Sequence, residues 1–122
     1  MAEPIAIDAQ TRERVVALSH LEGEELLAGI RDLGARRSPA GLPFLTNLTQ
    51  RDDLAVVRAA CEAMGEIGDI RSLDILVKMV ESDRDEELVR TAARAIGLVL
   101  FLRDRDYFHT ENLSYLVLRY LR

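Results

Sequence analysis

The sequence is short of almost everything that a secreted, membrane or metal-dependent protein leans on. It has one cysteine, Cys61, so no internal disulfide can form and a disulfide framework is excluded. It has no tryptophan and few aromatic side chains, and only three prolines and seven glycines interrupt it. Its longest apolar run, Leu98 to Leu102, is far too short to span a bilayer. The first eight residues carry neither a basic cluster nor an apolar stretch, which argues against a signal peptide and for a cytoplasmic protein. The formal net charge is −5, whereas nucleic-acid affinity draws on Lys and Arg that neutralise phosphates. Arg36-Arg37 is the only adjacent basic pair, so neither a nucleic acid nor a membrane is expected as partner.

Catalytic signatures are missing as well. The two histidines, His20 and His109, have no His at helical spacing, and no His-Glu pair occurs, so a metal site is not expected. There is no Gly-x-Ser-x-Gly and no glycine-rich phosphate loop. The acidic run Asp83-Arg84-Asp85-Glu86-Glu87 fits a helix start, where carboxylates complement the macrodipole. These absences lead to the expectation of a non-catalytic chain without a cofactor.

What the chain does have is helix-forming residues and an internal repeat. It is 48% hydrophobic and 30% charged over 122 residues, enough for one domain covering 1–122 with its own core. Basic residues are Arg almost throughout, Lys78 being the only lysine, a bias associated with GC-rich bacterial genomes. The segment Val56-Val57-Arg58-Ala59-Ala60-Cys61-Glu62-Ala63-Met64-Gly65 returns as Leu88-Val89-Arg90-Thr91-Ala92-Ala93-Arg94-Ala95-Ile96-Gly97. A weaker copy, Glu25 to Gly34, lies upstream, with Leu27 in place of the Arg. Gly41-Leu42-Pro43-Phe44-Leu45 aligns in the same way with Ser72-Leu73-Asp74-Ile75-Leu76. Within each copy apolar residues recur at i, i+3, i+4 and i+7, as in Val57, Ala60, Cys61 and Met64, the stripe of an α-helix.

The periodicity predicts an all-α protein of about seven helices, near 9–19, 22–34, 41–49, 53–66, 70–81, 86–102 and 111–121. These group into a capping helix at 9–19 and repeats at 22–50, 52–81 and 84–121. Gly65 and Gly68 read as helix terminators, and Ser19 with Glu22 as a capping box for the second helix.

The string from Asp53 to Asp69, with its Val57-Arg58 pair, its alanines and its Ile67-Gly68-Asp69 turn, resembles the HEAT-like repeat of the phycobilisome-lyase type. The resemblance is fullest over residues 51–97 and loose over 24–50. It departs after Gly97, where Leu98 to Leu102 prolong the helix. It implies an α-solenoid of HEAT-like helical hairpins whose second helices line a concave binding surface. It also implies a structural role for Arg58 and Arg90, bridging adjacent repeats through Asp52 or Asp53 and Asp83 or Asp85, in preference to a ladder of ligand-binding arginines. Two further functions come with the resemblance: a bilin-lyase-like or lyase-accessory protein, and a nucleic-acid-binding HEAT-like protein.

Two features exceed what the repeat requires. Phe44 and Ile75 occupy one repeat position, where the resembling family often has Ala, and Asn47 and Lys78 follow one turn later. These four are candidates for contact with another protein, the alternative for Phe44 and Ile75 being the core. Five of the six aromatics, Phe101, Tyr107, Phe108, Tyr115 and Tyr120, lie near the C-terminus. In helix 111–121 the stripe is Leu113, Leu116, Val117, Tyr120 and Leu121, while Tyr115 and Leu118 fall on the opposite side. Tyr115 and Leu118 are therefore candidates for an interface, either with a partner protein or in a homodimer through the C-terminal helix, rather than a plain cap.

Overall fold

The computed structural model describes residues 9–104, which form six α-helices and, among those residues, no strand. These are α1 (Ala9–Leu18), α2 (Gly23–Arg36), α3 (Leu42–Leu48), α4 (Leu54–Ile67), α5 (Leu73–Ser82) and α6 (Glu86–Asp104). Short 3-10 turns, Pro39–Gly41 and Ile70–Ser72, lead directly into α3 and α5. The expected helix 111–121, with Tyr115 and Leu118, lies outside the described residues.

Side chains set the helix boundaries. Asp53 caps α4 by accepting from the Ala55 N–H at 3.0 Å, and Asp85 caps α6 by accepting from the Leu88 N–H at 3.1 Å. Asp69 does the same for the turn before α5, accepting from the Arg71 N–H at 2.8 Å. Gly68 closes α4 in a left-handed conformation, φ 73°, and returns its N–H to the Met64 carbonyl at 3.1 Å. Arg37 and Asp83 close α2 and α5 with φ of 54° and 51°, a conformation that side chains other than Gly adopt at some cost.

Two sequence expectations change here. Helix α2 begins after Glu22, which makes no side-chain cap, and the Ser19 hydroxyl donates backwards to the Val16 carbonyl at 2.6 Å. The capping box is thus absent, because Ser19 is occupied in closing α1. Gly65 does not end α4 either. It lies inside the helix and is buried, and a Cβ placed on it would come within 2.9 Å of the Ala95 Cα. Gly34 meets Ala63 in the same way, at 3.0 Å. These glycines let α2, α4 and α6 approach closely side by side.

The three helices form one layer, and α3 and α5 lie against it, α3 packing on α4 and α5 on α6. Each second helix thus packs on the first helix of the following unit. The core runs between the layers through Leu26, Ile30, Leu33, Leu45, Val57, Ala60, Met64, Leu76, Leu88, Ala92 and Ile96, all at most 1% exposed. Helix α1 contributes little to it, with only Thr11 and Leu18 buried. Leu18 lies over Gly29, and Arg14 pairs with Asp32, which also binds Arg36.

Polar struts join neighbouring units. Arg58 on α4 pairs with Asp85 at 3.5 Å, the inter-repeat role expected for it. Arg90 departs from the expectation and pairs within its own helix, with Glu86 at 2.6 Å and Glu87 at 3.4 Å. Arg84, unremarkable in the sequence, donates to the Thr49 and Arg51 carbonyls at 3.1 and 2.9 Å. It thereby satisfies backbone acceptors left open beyond the end of α3.

Candidate functional site

The sequence candidates divide between α3 and α5. Asn47 and Lys78 are exposed on α3 and α5, and neither side chain takes part in a hydrogen bond or ion pair among the described residues. Phe44 and Ile75, one turn earlier, are half-buried and pack against the core. Each packs into the core on one side and keeps part of its side chain open to solvent. Phe44 also lines a small depression of about 90 Å³ with Arg12, Val15, Val16, Ala40 and Pro43. Asn47, Ile75 and Lys78 do not line that depression, so Phe44 is shared between the second-helix face and the seam with α1.

A larger groove, about 260 Å³, lies on the opposite layer between α4 and α6. Its walls are Glu62 and Glu66 on one side and Thr91, Arg94, Ala95 and Leu98 on the other. Sequence reasoning missed it. The available signal was the departure after Gly97, which places Leu98 where the preceding repeat has Glu66.

Cys61 has no reactive character. It is fully buried in α4, and burial pushes its thiol from 9.0 up to about 12; nearby Arg84 only partly offsets this and Glu62 adds to it. Among the described residues no group of three or more His, Cys, Asp or Glu side chains converges on a metal-sized site. His20 is exposed, and His109 lies outside the described residues. No helix among the described residues is long and apolar enough to cross a membrane.

Two stacked layers of paired helices, with glycine-mediated contacts recurring from unit to unit, define an α-solenoid. The family model for HEAT repeats matches residues 13–97, and the chain belongs to that family. No curated protein matches the chain closely enough to count as a relative. HEAT repeats generally mediate protein–protein interaction and are typically non-catalytic scaffolds.

Proposed function

We propose that this chain is a non-catalytic, cytoplasmic adaptor of bacterial origin, one repeat domain over 1–122, that binds another protein on the face of α3 and α5. The observation that carries this reading is the recurrence of one surface pattern on two successive second helices. A half-buried apolar side chain, Phe44 or Ile75, is followed one turn later by an exposed polar one, Asn47 or Lys78. An apolar anchor beside a polar group without an intramolecular partner is the composition of a protein interface. Lys78 favours an acidic side chain on the partner. Tyr115 and Leu118 extend the proposed contact surface through the C-terminal helix, on the strength of the sequence pattern.

Affinity purification of the tagged chain from the cells that make it, compared with Lys78→Glu and Phe44→Ala, tests the reading. A specific protein recovered with the natural chain and lost with both variants is the expected result. Lys78→Glu should leave stability within about 0.5 kcal/mol, as surface substitutions usually do. Half-buried Phe44 should cost less than the roughly 3–5 kcal/mol of a fully buried Phe, so the variant stays folded. Capture unchanged in both variants would refute the assignment of this face.

The string from Asp53 to Asp69 supports a second reading, a lyase-like or lyase-accessory protein that contacts bilin-bearing proteins. Absorbance changes on mixing with free bilin would favour it over the adaptor.

A further inference from the structure

Helix α6 presents an apolar outer face that the repeat does not call for. Thirty-two residues before Leu98 and Phe101, at the same repeat positions, the chain has Glu66 and Asp69. Glu66 is exposed on the outside of α4, and Asp69 belongs to the polar turn that starts the next helix. Helix α6 continues where α4 turns, and carries Leu98 and Phe101 at 40% and 57% exposure. Neither contributes to the core: the inward positions around them are filled by Val99 and Leu100, 0% and 2% exposed. Two large apolar side chains a turn apart on an outward face mark an interaction surface rather than a packing requirement.

The charges beside this pair suit the face to itself. Arg94 lies one turn before Leu98, and Glu62 and Glu66 line the far wall of the groove that Arg94 and Leu98 share. None of the three takes part in an ion pair among the described residues. We infer that a second copy of this chain covers this face, the two α6 helices crossing antiparallel at Leu98. In that arrangement the Leu98 side chains meet at the two-fold axis. Arg94 of each copy lies over the Phe101 ring of the other, where a guanidinium and an aromatic face attract. The same Arg94 comes within about a helical turn of the other copy's Glu66 and acquires an opposite charge. A two-fold contact buries one patch on both copies, so one self-complementary face completes the interface. The face belongs to the layer of α2, α4 and α6 and leaves the proposed partner surface on α3 and α5 free, so either assignment stands without the other.

Sedimentation velocity of the full chain at micromolar concentration should give about twice the monomer mass of 13.7 kDa. Phe101→Glu should weaken self-association roughly a hundredfold, as removal of a central apolar anchor does, and leave the helical circular dichroism and melting temperature unchanged. Arg94→Glu, which sets like charges beside Glu66, should weaken it about tenfold. Leu98→Cys supplies a positional readout, because a residue on the axis faces its own copy and a disulfide needs Cα atoms roughly 5.5–6 Å apart. Buried Cys61 contributes no background. Under mild oxidation with oxidised glutathione Leu98→Cys should cross-link far faster than Ala28→Cys, which sits exposed on α2. A chain that stays monomeric at near-millimolar concentration overturns the inference. So does equal cross-linking at Leu98→Cys and Ala28→Cys. A dimer dissolved by Leu118→Glu but not by Phe101→Glu overturns it too, and assigns the contact to residues 111–121.

Discussion

Replacing Gly65 by Ala sets two well-measured effects against each other at one position. In a helix interior Ala is favoured over Gly by about 1 kcal/mol, so propensity alone predicts stabilisation. The added Cβ would sit 2.9 Å from the Ala95 Cα, closer than real Cβ atoms approach another heavy atom, and 3.0 Å from its Cβ. The obstructing atoms belong to the backbone and first side-chain carbon of α6, so relief requires α4 and α6 to move apart. Overpacking of this kind costs about 1–3 kcal/mol. The net expectation is destabilisation by about 0–2 kcal/mol, a fall in melting temperature of up to roughly 10 °C for a domain of this size. Gly41→Ala is the internal comparison. Its Cβ would meet Leu33 Cδ2 at 3.4 Å, ordinary van der Waals contact, and Gly41 has αR backbone angles, φ −79°. There the substitution should stabilise by about 0.4–1 kcal/mol, chiefly by restricting the unfolded chain. Urea titration followed by circular dichroism measures both. If Gly65→Ala stabilised as much as Gly41→Ala, the glycine would not set the distance between α4 and α6.

Asp53→Ala removes the N-cap of α4 and should cost about 1 kcal/mol in a urea titration, with Asp53→Asn recovering most of the loss because Asn can accept the same Ala55 N–H. Cys61 should resist thiol reagents in the folded state at neutral pH and react only as fast as the chain opens, since a thiol raised to about 12 holds almost no thiolate there; prompt labelling would contradict its burial. The same shift links stability to alkaline pH: the buried group keeps its proton where the unfolded chain has lost it, so stability is full below about pH 9 and declines as pH rises towards 12.

Much of the fold could be read from periodicity. The boundaries expected for α4, 53–66, and for α5, 70–81, fall within a few residues of Leu54–Ile67 and of the 3-10 turn with α5. Long amphipathic stripes and capping aspartates are local signals, and local signals survive in a single sequence. What failed was non-local. Gly65 read as a terminator because a glycine near a helix end usually is one, and only the proximity of Ala95, 30 residues away, reveals its role. Arg84 carried no mark in the sequence because its acceptors are backbone carbonyls of Thr49 and Arg51, which any residue supplies. Of the candidate surface, the exposure of Asn47 and Lys78 followed from helical phase, whereas the groove between α4 and α6 depends on how two helices are spaced.

The repeated glycine contact makes the junctions between units interchangeable. Gly34 meets Ala63 much as Gly65 meets Ala95, so the surface that α4 offers to α2 resembles the one that α6 offers to α4. Arg84 and Arg51 likewise both reach back by about one repeat length, Arg84 to the Thr49 and Arg51 carbonyls after α3 and Arg51 to Glu22 at the start of α2. A tandem copy of one unit, inserted in register between α3 and α4, would find on both sides the edges it already fits. The architecture can therefore grow or shrink by whole units through in-frame duplication or loss.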